Sequence, residues 1–405
     1  MFYQCPKCRK IWQYPIEKCP DCFLKLERMK SEKIRVIGVS KVQIPTMFHP
    51  EVPYFVLVLE DENGNKWPQK SIKEYKIGDL FKMEPCTDKN SVAIWRIKYD
   101  ILEAIEKVIE LLGGAMRTPS SSSPSLPSEA RCLKINSQTK ILILPTLISP
   151  KHPYLAVNTN PKFLESLINY LTKIGGETKN IKVVAQSFDE IPIEASAQKS
   201  QLLDVCLKNQ ITPLDLAKGN FVKKNQNGLT FEISEEVFNS NLIINLPILK
   251  LAPHQKNGGG LGVRGASENI LKFLKKESYL SLQRLRSQDS NPPAARGAQT
   301  KVWEGGGRVG VPAFGGAPEI MEKLQKVLPN YLTLADALTI QKADGFTALL
   351  GLVLASFNSL NLDRVFAEIT MIKGLPEYLK KIKIEDIPIV GRKVEEVQYN
   401  VEKVG

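Results

Sequence analysis

Cys5-Pro6-Lys7-Cys8 and Cys19-Pro20-Asp21-Cys22 are the residues of this 405-residue chain whose types and spacing name a chemistry most directly. Each turn offers two thiolates, ten residues lie between the turns, and four thiolates close a tetrahedral Zn²⁺ without leaving a position for water. Such a site holds a fold together and catalyses nothing. Disulfides would need an oxidising compartment, and no charged-then-apolar leader precedes the cysteines at Met1-Phe2-Tyr3, so a structural zinc and a cytoplasmic location are expected. Iron in a rubredoxin-like redox site is the alternative that four thiolates also allow. Trp12 and Tyr14 lie in the hairpin that would bring both turns around one ion, which predicts a zinc ribbon over residues 1–30.

The remaining candidates lie in the second half of the chain. Gly260-Leu261-Gly262-Val263-Arg264-Gly265 matches a dinucleotide fingerprint letter for letter, but it begins well beyond its strand, whereas the fingerprint opens directly from a strand end. A second literal match, Gly305-Gly306-Gly307-Arg308-Val309-Gly310, lies in a Gly-rich stretch without period. The reading that survives is an anion site of Lys250, Gly262, Arg264 and Gly265 at the carboxyl end of a sheet strand. Asp336 and Asp363 flank apolar strands and could act together in proton transfer. Helix capping is the competing role for Asp363, because Asn361-Leu362-Asp363 opens a helical pattern. Lys250 is a catalytic candidate as well, and His254, which could serve as a general acid or base near neutral pH, is the fourth; its neighbours Pro253 and Gln255 favour an exposed loop histidine, and His49 and His152 also flank prolines. Cys86, Cys132 and Cys206 stand singly, and a thiol without a basic neighbour is idle.

The elements that must position these residues fall into two patterns. Ile34–Val39, Lys41–Ile44, Tyr54–Leu59, Ile77–Met83 and Val92–Ile97 read as about five short strands with Gly turns, the pattern of an OB-like β-barrel over residues 31–100. An OB face can bind single-stranded nucleic acid through aromatics, here Tyr54, Phe55, Trp67 and Trp95. Asp100 opens an amphipathic helix stopped by Gly113-Gly114, and the Pro- and Ser-rich stretch to Arg131 reads as a flexible linker. From residue 132 to 405 the pattern changes. Lys140–Leu144, Ile181–Ala185, Leu242–Leu246 and Leu349–Ala355 are continuously apolar and alternate with helical stretches such as Pro161–Leu171, which predicts an α/β domain with a largely parallel sheet covered on both faces. Residues 286–318, rich in Gly, Pro and Ala, read as a disordered insertion or a lid.

The formal charge of +12 favours acidic partners, nucleic acid among them, although most lysine clusters alternate with acids as solvated faces do. The apolar run Ala348–Ala355 is far shorter than the roughly 20 residues a membrane helix needs.

Two resemblances follow from these segments. The order ribbon, then VIGVSKVQIP, PYFVLVLEDE and YKIGDLFKME, resembles the zinc-ribbon and OB-fold proteins of domain of unknown function 35 over residues 1–100. That resemblance implies an accessory module associated with acyl-CoA or with docking a partner enzyme or acyl carrier. ILILPTLISP, LIINLPILK, GVRGASENILKF, LTLADALT and LVLASFNSLNLDRVFAE, in that order, resemble domain of unknown function 362 over residues 140–392, an α/β family whose members often carry iron–sulfur modules. Against that family's pattern, Leu144-Pro145-Thr146 replaces a Lys-Pro-Asn, Leu246–Ala252 keeps only the second of two lysines, at Lys250, and Glu268 stands where a lysine is usual.

Together these readings predict a small zinc-ribbon and OB-like module, a helix and linker at 101–131, and a largely parallel α/β domain. They point to an α/β half that binds a small anionic ligand, acyl or phosphorylated, with part of the catalytic motif lost. Single-stranded nucleic-acid binding by the OB face, and an active, redox-linked enzyme, are the alternatives.

Overall fold

The structure is a computed structural model. It describes residues 3–12, 18–28, 33–44, 53–71, 74–81, 89–112, 135–187, 191–251, 263–280, 318–342, 345–372, 375 and 377–400. The predicted linker after Leu112 and most of the 286–318 stretch lie outside these residues. The chain divides into two compact units, Met1–Glu84 and Pro85–Gly405.

The first unit opens with three two-residue strands, β1 (Tyr3–Gln4), β2 (Ile11–Trp12) and β3 (Glu27–Arg28), in the antiparallel order β2-β1-β3. Next come β4 (Ile34–Val42), β5 (Tyr54–Asp61) and β6 (Lys66–Ser71), an antiparallel sheet in that order. Val36, Phe55, Leu57 and Leu59 form its core, with Trp67 and Phe81 packed against them. Asp61 fixes the β5–β6 turn by accepting the N–H groups of Asn63 and Asn65, both at 2.9 Å. Residues 78–81 run beside β4 through Val36 N–H to Asp79 O, Gly78 N–H to Val36 O and Phe81 N–H to Ile34 O.

The described strands thus form a three-stranded sheet with one irregular neighbour, and the expected five-stranded OB barrel is corrected. The decisive difference is β7 (Val92–Arg96), read above as the barrel's last strand. It pairs with two strands of the second unit, because its Val92, Ala93 and Ile94 are fully buried and a central strand of a covered sheet can bury both faces.

The second unit is built on that larger sheet. The elements that build and flank the site include, in chain order, α1 (Ile101–Leu111), β8 (Ile141–Pro145), α2 (Pro161–Lys173), β9 (Ile181–Ala185), β10 (Leu214–Asp215), β11 (Phe221–Gln226), β12 (Leu229–Ser234), β13 (Leu242–Leu246) and β14 (Ile248–Leu251). They continue with β15 (Val263–Arg264), α3 (Ala266–Asn269), β16 (Tyr331–Gln341), β17 (Thr347–Ser356), α4 (Ser359–Ile369) and β18 (Ile389–Gly391). The strand order is β10-β9-β8-β13-β16-β17-β7-β18, with β14 pairing β16 and β15.

The run from β10 to β16 is parallel throughout. β16 to β17 and β17 to β7 are antiparallel, so the sheet is mixed with mostly parallel strands. The apolar run at 349–355 is therefore an antiparallel strand. Its connection from β16 is a short turn closed by Lys342 N–H to Phe346 O, and antiparallel neighbours need no longer crossover.

Alternation along β8 shows why the strand reads as continuously apolar. Ile141 and Ile143 join the core beneath α1 and α2, whereas Leu142 and Leu144 join the opposite core with Phe231 and Phe273. Asn160 caps α2 by accepting the Lys162 N–H at 2.9 Å, with Pro161 preset at the first helical position. Asp100 does the same for α1 at the N–H of Leu102. Both helices therefore start where the sequence predicts, with Ile105, Val108, Phe163, Leu164, Leu167 and Leu171 buried on the sheet. Among the described residues no helix is long and apolar enough to cross a membrane.

Candidate functional site

The two N-terminal cysteine turns are built alike. Arg9 N–H donates to Cys5 O and Phe23 N–H to Cys19 O, while the N–H of Cys5 donates to Lys10 O and that of Cys19 to Leu24 O. These turns aim four sulfurs at one point, all within 4.8 Å of one another, with Cys8 and Cys19 Sγ 3.6 Å apart. A tetrahedron with metal–sulfur bonds of about 2.3 Å has edges of about 3.8 Å, so the four sulfurs are spaced as one tetrahedrally held metal ion requires. All four are free thiols in the structure. The backbone N–H of Cys8 leads the effects that hold the Cys5 thiol down at about 7, whereas burial pushes Cys22 up to about 12. The cluster can hold a metal ion.

The predicted residues of the α/β half are only partly brought together. His254 and Gly262 lie outside the described residues. Arg264 is placed by its backbone alone, paired with Lys250 across β14 and β15. Gly265 is buried, and a β-carbon there would meet Asp363 Oδ1 at 2.5 Å and Leu249 Cδ2 at 2.8 Å. Cys206 is a buried thiol pushed up to about 12 by desolvation, the inert reading of a lone cysteine. Cys86 and Cys132 lie outside the described residues.

Both candidate carboxylates are fully buried and held by protein donors. Asp363 accepts the N–H of Ala266 at 2.8 Å and of Ser267 at 2.9 Å, and the Ser267 hydroxyl as well. It therefore caps α3, while its own helix, α4, is capped by Asn358 through the N–H groups of Leu360 and Asn361. Asp336 accepts the N–H of Asn160 at 2.8 Å and of Leu338 at 3.1 Å, tying mid-β16 to the start of α2. Burial is the largest effect on each and pushes both carboxyls up to about 6. Capping, offered above for Asp363 at its own helix, operates across the chain instead.

Around them runs a buried polar network that sequence reasoning missed. Asn245 Nδ2 donates to Ala266 O and Thr333 Oγ1, and its Oδ1 accepts from Asn269 Nδ2. Asn269 Nδ2 also reaches Leu144 O, and its Oδ1 accepts the Thr146 hydroxyl. Thr333 meets Ser359 at 2.8 Å, and Ser359 reaches the Tyr331 hydroxyl at 3.0 Å. Burial pushes that phenol well above its ordinary range. Polar residues embedded in the apolar runs of β13 and β16 were the available signal.

Two lysines converge on the loop after β8. Thr159 N–H donates to Thr146 O, closing the loop, and Asn158 braces it from inside through Ile148 N–H and Ser149 O. Lys250, only 9% exposed, donates from Nζ to Val157 O at 3.2 Å. Lys272 donates to Leu147 O at 3.3 Å and to Gln186 O at 2.9 Å. Gln186, which follows β9, is buried, and its Oε1 has no hydrogen-bond partner among the described residues. Lys272 and Gln186 had no motif to single them out. Both lysines reach the carboxyl ends of parallel strands, where open α/β sheets take ligands.

The aromatics of the expected stacking face are packed away. Tyr54 and Phe55 are buried and Trp67 lies against the core of β4–β6. Trp95 belongs to the second unit, between Lys107 at 5.8 Å and Arg392 at 5.6 Å.

Residues 141–368 match the family described as Domain of unknown function (DUF362), a span from β8 into α4 that carries the capped carboxylates and both lysines. The chain belongs to the DUF362 family. This DUF362 domain therefore occupies most of the second unit, while β7 and α1 precede the matched span yet complete its sheet and its core. No curated protein matches the chain. Among solved structures it is similar to the lactate racemase apoprotein from Thermoanaerobacterium thermosaccharolyticum, at 12% identity and a TM-score of 0.36. The likeness covers 69% of this chain and 57% of that one, so the chain spans little more than half of that structure's length.

Proposed function

We propose that the DUF362 domain of this chain binds a small anion, acyl or phosphorylated, at the strand tips, and that the N-terminal cysteines hold a structural zinc. The observation that carries the anion reading is the pair of ammonium groups on one braced loop, Lys250 on Val157 O and Lys272 on Leu147 O and Gln186 O. Both ammonium groups already donate to this loop, and a carboxylate or phosphate beside it would accept further charge-assisted bonds from them. The unsatisfied Gln186 Oε1 would accept from a hydroxyl or amine on the same ligand.

Binding is favoured over proton-transfer chemistry because Asp336 and Asp363 are fully buried and each is held by backbone N–H groups. They position α2, β16 and α3 beneath the site. For the cysteines, zinc is preferred over iron as the usual ion of structural four-thiolate sites.

Native mass spectrometry of the full chain purified from its own cells tests both parts. The expected spectrum shows one zinc and a small anionic adduct that is absent from Lys272→Ala. Iron in place of zinc, or an identical adduct in the variant, would overturn the corresponding part.

A further inference from the structure

Each cysteine knuckle ends in the same strained backbone position. Arg9 and Phe23, the residues after the second cysteines, have φ of +63° and +56°, a region that glycine enters freely and a bulky residue occupies at a cost. At Phe23 a second cost is added, because its ring is 76% exposed. The module's own core, Cys5, Cys19 and Leu26 with Tyr3 and Trp12 around them, does not use that ring. Among the described residues of the first unit, Phe23 is the one aromatic that is largely exposed. The second cysteine turn therefore holds a planar ring out in solvent.

The segment that carries the ring is basic, and Lys18 and Lys25 bridge each other across the Phe23 turn. Residues 1–30 carry seven Lys or Arg against three Asp or Glu, and the surplus stays positive after four thiolates around a divalent ion contribute two negative charges. Lys10 is engaged by Asp21 at 2.6 Å, whereas Lys7, Arg9, Lys18 and Lys25 are exposed.

We infer that this cysteine-turn module binds single-stranded nucleic acid, with a base stacked on Phe23 and phosphates taken by Lys18 and Lys25 at the same turn and by the module's other exposed cations, Arg9 among them. A protein hot spot wants an aromatic anchor within a packed apolar centre. Besides Phe23, the large apolar side chains this module exposes are Leu24 and Ile11 among its described residues, too few for such a centre, whereas one exposed ring with cations at its turn suits a base and its phosphates, and stacking accepts any sequence. The inference is independent of the strand-tip reading and of the inward-packed aromatics on β4–β6.

The test is fluorescence anisotropy of a labelled oligothymidylate of about fifteen nucleotides, within the range one small module covers, titrated with the intact zinc-loaded chain. Saturable binding is expected, weakening steeply between about 50 and 200 mM salt. Phe23→Gly relieves the backbone strain, keeps the zinc, and should lower affinity about tenfold or more, the loss of one stacked base. Arg9→Gly should flatten the salt dependence. No binding by the wild-type chain at low salt, or equal affinity in zinc-loaded Phe23→Gly, would overturn the inference. The first outcome would leave the exposed ring to a protein partner.

Discussion

A β-carbon on Gly265 would lie 2.5 Å from Oδ1 of Asp363, so the glycine is required by a carboxylate almost a hundred residues away in the sequence. With Leu249 Cδ2 at 2.8 Å on the same side, neither neighbour has room to retreat. Gly265→Ala should cost about 1–3 kcal/mol, the usual range for overpacking a filled core. Chemical denaturation measures it. An unchanged midpoint would show that Asp363 does not hold the backbone of α3 in place.

Removing the carboxylate tests the same contact from the other side. Asp363→Ala leaves the N–H groups of Ala266 and Ser267 without their acceptor, and a buried unsatisfied donor costs about 1–3 kcal/mol. Asp363→Asn should fall between that variant and wild type, since one amide oxygen still accepts. A loss of binding without any loss of stability would instead mean that Asp363 meets the ligand directly.

These two residues also show what the sequence could and could not disclose. Apolar runs, helix caps at Asp100 and Asn160, and the cysteine spacing were legible because each is a local pattern. The family's segments were legible as well, and their order placed β8, β13, β16 and α4. The partners of Asp363 and Asp336 were not, since each carboxylate is satisfied by backbone from a distant segment. Lys272 escaped notice for the same reason, its acceptors being the carbonyls of Leu147 and Gln186. Val92–Arg96 was misassigned because a short apolar strand looks alike in a small barrel and in a large covered sheet.

The pH dependence of stability follows from burial. Asp336 and Asp363 have folded-state pKa values raised from 3.8 to about 6, so the folded chain binds more protons than the unfolded one between those values. Their contribution to stability is full below about pH 4 and is lost as pH rises through about 6. Wild type should therefore gain stability from these groups between pH 7 and pH 5, and Asp336→Asn should gain less over the same interval. Urea midpoints at the two pH values decide it. Parallel shifts in both proteins would contradict the assignment.

The cysteine cluster predicts a local dependence on metal. Chelation should raise amide exchange across residues 3–28, where the four sulfurs organise the turns, and leave β8, β13 and β16 protected. Cys8→Ser should reproduce that pattern and lower the bound metal, whereas Cys206→Ser should not, because that buried thiol lies outside the cluster. Exchange that is unchanged on chelation would remove the metal from the stability of the cysteine turns.

The central claim is that Lys250 and Lys272 hold one anion at the strand tips, and calorimetric titration of the full chain with inorganic phosphate, malonate and coenzyme A tests it most directly. At least one of these probes should bind at a single site, and Lys250→Ala and Lys272→Ala should each weaken it about tenfold or more, as loss of a charge-assisted bond does. Equal binding by wild type and both variants, or heat from none of the three, would contradict the account.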